Sequence, residues 1–223
     1  MREMTVPESG PKRKLFDVAQ QLLAAKGFEL VSVRDITQAA EMNVAAVNYH
    51  FGSRDGLLSL VMYHHIMPLN EERLARLETV DRKGAGKSAA LEEIIDAWVR
   101  PLVNQARHSG LSEQSFHQLV GKIFSLQNKD FSAAIQDSIQ QVADRFTRSL
   151  VKALPTVVSE DLNARFHFMT GGLIHLLLNP PSQQASTIEA TLGRFIRFAA
   201  AGLREGTETE APAKKGPQAT FDF

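Results

Sequence analysis

The sequence predicts an all-α protein in two parts: an N-terminal three-helix domain of helix-turn-helix type, and a larger C-terminal helical domain. Three observations carry that expectation. Apolar residues recur at spacings of three and four along most of the 223 residues. Helix-capping residues stand just ahead of those periodic stretches. The run SVRDITQAAEMNVAAVNYHFGSRDGLL, from Ser32 to Leu58, reads as two short helices joined by a tight turn and followed at once by a longer third.

The first helix covers LFDVAQQLLAAKGF, with Lys12, Arg13 and Lys14 at its start as a basic arm suited to phosphates. Ser32 opens the second helix, and Asp35 three residues on completes a reciprocal cap. Val33, Ile36 and Ala40 face inward at helical spacing, while Arg34, Asp35 and Gln38 face outward. Glu41, Met42 and Asn43 form the turn, with Met42 filling the space between helices and Asn43 capping a third helix from about Val44.

That third helix, VAAVNYHF, carries the chemistry. Val44, Ala45 and Ala46 are small enough to approach thymine methyl groups in the major groove, and Asn48 suits adenine. Tyr49 and His50 offer donors to phosphate oxygens, which set register without reading sequence. Val47 and Phe51 look inward. Past Gly52, Ser53 caps the next helix and Arg54 sits in its first turn, where a phosphate meets backbone N–H groups and a guanidinium together. Each of these residues taken singly also fits an ordinary core or solvated surface; their conjunction points to DNA.

The block from Leu15 to Leu58 resembles the TetR-type transcriptional regulators, since NYHFGSRDGLL matches that family's aromatic-His-Phe-x-Ser-Lys/Arg-x-x-Leu signature. The resemblance implies base contacts from Arg34, Val44, Ala45, Ala46 and Asn48. Phosphate contacts follow at Lys12, Ser32, Tyr49, His50, Ser53 and Arg54. One position departs from the family, where Glu41 stands in place of the usual turn glycine. A left-handed backbone there costs an L-residue about 1 kcal/mol, and the carboxylate brings negative charge near DNA.

The whole-chain properties are compatible with this reading. Net charge is formally zero, with seven basic and seven acidic residues through Tyr63, so DNA binding depends on placement of charge rather than on its sum. Cysteine is absent, which excludes disulfides and thiolate metal sites and fits a reducing cytoplasm. Apolar runs such as LIHLLL are too short to span a bilayer, and MREMTVPESGPKRK lacks a signal-peptide core. The histidines show no metal-binding spacing, and there is no phosphate loop, nucleophile elbow or paired-carboxylate pattern, so neither metal, cofactor nor enzymatic activity is expected.

Beyond Ser53 the helices continue. The exit helix runs through LLSLVMYHHIMPLNEERLARLETV with a kink expected at Pro68. DRKGAGK breaks the chain, and Ser88 caps ALEEIIDAWVRPLVNQA, interrupted at Pro101. A short helix in SEQSFHQLVGKIFSLQ and a long one from about Phe131 to Leu154 follow, ended by Pro155. The last two begin at Glu160 and at the capping box of Ser186 and Glu189.

These last two helices read as a four-helix homodimer interface, also implied by the TetR resemblance. Gly171 and Gly172 would permit close approach, and Ile188, Leu192, Phe195, Ile196 and Ala199 form one stripe. A dimer fits a palindromic double-stranded DNA operator. Trp98, Phe116, Leu119, Phe124, Phe146, Phe168 and Met169 supply a candidate pocket for a small apolar ligand, the same residues being equally suited to a plain core. FHQLVGKIF and ARFHFMTGG are loosely similar to the PsrA-like, fatty-acid-responsive members of the family, which implies a fatty acid or acyl-CoA.

The domains are thus a flexible N-terminus (1–11), the DNA-binding domain (12–60), the ligand-binding and dimerisation domain (61–203) and a disordered tail (204–223). The expected function is a cytoplasmic repressor released from its operator by ligand. Two other readings fit the same pattern: a DNA-binding protein of this fold without an inducer, and a helical protein-interaction module.

Overall fold

The computed structural model describes residues 5–6, 8–83, 91–157, 159–179 and 188–205. The caps expected at Ser88 and Ser186, the side chain of Ile188 and the tail beyond Glu205 lie outside the described residues.

Nine α-helices follow in chain order among the described residues: α1 (Pro11–Lys26), α2 (Val33–Ala39), α3 (Ala45–Phe51), α4 (Arg54–Lys83), α5 (Leu91–Ala106), α6 (Glu113–Phe124), α7 (Ala133–Ala153), α8 (Ser159–Leu178) and α9 (Ile188–Arg204). Proline at the start of α1 is favourable because its missing N–H would have had no helical partner. Leu15, Phe16, Ala19 and Leu23 then form the inward stripe of that helix. Helix α2 has the full reciprocal cap, with Ser32 and Asp35 bonding each other's backbone N–H.

Helix α4 continues through Pro68, and α5 runs through Pro101 without the interruption expected there. Ile66 and Leu69 flank Pro68, and Leu102 and Val103 follow Pro101, all buried. An interior proline costs about 3 kcal/mol. Burial of large apolar side chains at about 1.5–3 kcal/mol each outweighs it when the packed stripe continues on both sides.

Helix α4 belongs to both domains: its first half packs on α1 and α3, its later part on α5 and α7. Helix α6 lies between α1 and α8, and α9 covers α5 and α8. Helices α6 and α8 approach closely at Gly121, where a Cβ would stand 3.1 Å from Leu177 and Leu178 side-chain atoms.

The stripe on α9 is turned the other way from the sequence expectation. Leu192, Phe195, Ile196 and Ala199 are buried within the chain itself, facing its own core. The open face instead carries Phe168 on α8, 73% exposed, and Phe198 on α9, 78% exposed. Gly171 and Gly172 are exposed beside Phe168. Helical periodicity identifies a stripe; whether it meets its own chain or another is decided by neighbouring helices.

Candidate DNA-binding face and internal cavity

The turn between α2 and α3 takes the shape its residues allow. Glu41 has φ +54°, the left-handed conformation expected of a glycine position, and its carboxylate lies 3.4 Å from Lys14 Nζ. Asn43 caps α3 by accepting from the Ala45 N–H at 2.9 Å. Val47 is fully buried and fixes the helix, while Val44, Ala45, Asn48 and Tyr49 are exposed on its outer side. Tyr49 is 82% exposed, an orientation with no core function. Arg34 on α2 is exposed as well, whereas Ala46 and His50 are half-buried. Ala46 packs against the core.

The residues assigned to phosphate differ in what they have left to offer. Lys12 Nζ stands 5.7 Å from the Phe51 ring centroid, which holds its charge beside the end of α3. Ser53 Oγ accepts from the Gly56 N–H at 3.0 Å and retains its own hydroxyl hydrogen. Ser32 gives both its N–H and its hydroxyl to the Asp35 carboxylate, and these bonds hold the Asp35 carboxyl below its ordinary range. Arg54 has a partner at each of its three nitrogens: Nε donates to the Val31 carbonyl at 2.8 Å, Nη2 donates to the Phe28 carbonyl, and Nη1 pairs with the Asp55 carboxylate at 3.4 Å. The guanidinium thereby ties the start of α4 to the loop before α2.

A cavity of about 320 Å³ is lined from α4, α5, α7, α8 and the end of α6. Of the expected lining, Trp98 and Phe124 contribute to it. Phe116, Leu119, Phe146 and Met169 are buried core outside the lining, and Phe168 lies on the outer surface. The lining also contains Asn70 and Arg73, both buried, which the apolar reading of the sequence omits. Arg73 could have been found: it follows Ile66, Leu69 and Asn70 at helical spacing and precedes Leu77, so periodicity puts it on the inward face of α4.

The cavity and the DNA-binding domain share α6. Phe124 lines the cavity at the end of this helix, and Lys122 two residues earlier donates to the Ala24 and Ala25 carbonyls at the end of α1. His65 Nε2 and Gln20 Oε1, 3.0 Å apart, join α4 to α1 in the buried space between. Burial, with the neighbouring His64 second, pushes the His65 pKa down to about 3 and keeps the ring neutral. Among the described residues no cluster of His, Asp and Glu could hold a metal ion, and no helix is long and apolar enough to cross a membrane.

Comparison with known proteins agrees with this architecture. Residues 15–61 match the pattern described as bacterial regulatory proteins, tetR family, and residues 96–202 match that of a tetracyclin repressor-like C-terminal domain. The fold superposes on the TetR family transcriptional regulator PfmR from Thermus thermophilus with a TM-score of 0.59 and 18% identity, covering 85% of this chain and 98% of that one. A bacterial regulatory protein in the tetR family from Rhodococcus gives 0.60 and 19%, covering 87% and 97%. At such identities the structural likeness is one of fold. No curated protein matches the sequence.

Proposed function

Because the chain belongs to the TetR family of bacterial regulatory proteins, we propose that it is a homodimeric cytoplasmic repressor that binds a palindromic operator through α3 and leaves it when a small ligand fills the internal cavity. The observation that carries this reading is the outer side of α3, where Val44, Ala45, Asn48 and Tyr49 are exposed on a helix anchored by buried Val47. Arg34, Val44, Ala45 and Asn48 read base edges, with Ala46 grazing the groove. Lys12, Tyr49, His50 and Ser53 hold phosphates. Ser32 and Arg54, whose donors are engaged within the domain, act by holding α2 and α4 in position.

Two copies pair through the open face of α8 and α9, where Phe168 and Phe198 would leave water. Dimerisation sets the two α3 helices about one DNA turn apart or a multiple of it. Ligand shifts the population toward a conformation with unsuitable spacing, and operator affinity falls by its differential affinity for the two states. The path runs from Phe124 through Lys122 to the end of α1.

Fluorescence anisotropy with DNA from upstream of the protein's own gene tests the reading. Specific sites should bind about 10³-fold or more tighter than random DNA. Asn48→Ala should relax preference at one operator position, at about 1–3 kcal/mol. Equal affinity for random and upstream DNA would sink the proposal.

A further inference from the structure

Arg73 is 1% exposed and lines the cavity between α4, α5, α7 and α8. Two contacts fix its plane: Nε donates to the Trp98 carbonyl at 2.9 Å, and Nη1 donates to Asn70 Oδ1 at 3.2 Å. The guanidinium is flanked by aromatic rings, its carbon 4.1 Å from the Trp98 ring centroid and 5.3 Å from that of Phe124.

What Arg73 lacks is an anion. Among the described residues no carboxylate pairs with it, and burial alone holds its pKa down, to about 9. A guanidinium has five N–H donors, and the two bonds above leave Nη2 without a protein acceptor among the described residues. The adjacent Trp98 carries a buried Nε1 that has no hydrogen-bond partner among the described residues. Buried cations in folded proteins are paired, because desolvation is otherwise uncompensated. Ring stacking offsets part of that cost and leaves the edge of the fork unfilled.

We propose that the cavity binds an apolar monocarboxylic acid, its carboxylate on Arg73 and its hydrocarbon or aryl body among Trp98, Phe124, Phe131 and Phe166. This deepens the ligand-release reading above and rests on it. At about 320 Å³ the space is near the lower end of ligand sites, which suits a compact acid rather than a coenzyme A thioester. Thioester formation would also remove the charge that Arg73 is placed to meet.

Calorimetry on the full chain with octanoate and phenylbutyrate, each beside its methyl ester and its alcohol, tests the assignment. The acids should bind at least about tenfold tighter than the neutral analogues, the scale of a hydrogen bond to a charged group. Arg73→Met should erase that preference and Arg73→Lys should keep part of it. If Arg73→Met fails to fold, the acid-to-ester ratio in the natural protein decides alone. Equal binding of acid, ester and alcohol would overturn the proposal, as would no binding of either acid by protein that still binds DNA. DNA occupancy is followed separately by anisotropy. An acid that binds through Arg73 without changing occupancy supports the anion site and sinks the release reading. Release by esters as readily as by acids preserves the release reading and removes Arg73 as its anchor.

Discussion

Lys122 on α6 and Ala25 on α1 are joined across the domain boundary, with the lysine Nζ 2.9 Å from the alanine carbonyl oxygen. The last carbonyls of a helix have no partner within it, and the positive charge also complements the helix dipole there. A residue of the larger domain thus terminates the first helix of the DNA-binding domain. Lys122→Met should raise amide hydrogen exchange near the end of α1, weaken operator binding, and lower stability by about 1 kcal/mol. Unchanged exchange in α1 together with unchanged DNA affinity would show that this contact transmits nothing.

Arg54 should act by position rather than by charge. Its donors hold the Val31 and Phe28 carbonyls, so Arg54→Met should destabilise the domain by about 1–3 kcal/mol through two unsatisfied carbonyls. The salt dependence of DNA binding should change by well under one unit of slope, whereas losing a direct phosphate contact removes about one. Tyr49→Ala should do the reverse, weakening all sequences alike with stability unchanged. A full unit lost from the slope of the Arg54 variant would restore it to the phosphate contacts.

On the open face, Phe198→Glu and Phe168→Glu should convert dimer to monomer while preserving the fold, because both rings are exposed in the single chain. Leu192→Ala should instead cost about 2–5 kcal/mol of stability, since that side chain is 1% exposed within its own core. Sedimentation velocity and urea unfolding separate the two effects. A dimer that survives both glutamates would move the interface elsewhere.

Acidification should destabilise the junction of α1 and α4 through His65. Its folded pKa is depressed to about 3, so between an ordinary value near 6.5 and about 3 the unfolded chain binds a proton that the folded chain refuses. Stability is then constant above 6.5 on this account and falls as pH drops, by up to about 1.4 kcal/mol per pH unit. His64 and His117, also lowered chiefly by burial, act in the same direction. Replacing His65 with glutamine should therefore flatten the acid slope in part, measured by urea midpoints between about pH 7.5 and about 4.5. An identical slope in protein and variant would rule out His65 as a contributor.

The helices, the turn and the side of α3 that faces outward were legible in the amino-acid order, because they depend on residues a few positions apart. Ser32 pairs with Asp35, Asn43 with Ala45, and Val47 lies a half-turn from its exposed neighbours. Arg73 was also within reach of periodicity, although an arginine on an inward stripe is passed over when only apolar residues are counted. Which arginine and lysine donors remain free was settled by tertiary contacts. Arg54 bonds carbonyls 23 and 26 residues away, Arg73 bonds one 25 residues away, and Lys122 bonds one 97 residues away. The same holds for the stripe of Leu192, Phe195, Ile196 and Ala199, turned inward because α5 and α8 supply the apolar surface that covers it. Local spacing fixes which side of a helix is apolar, and long-range packing fixes what that side meets.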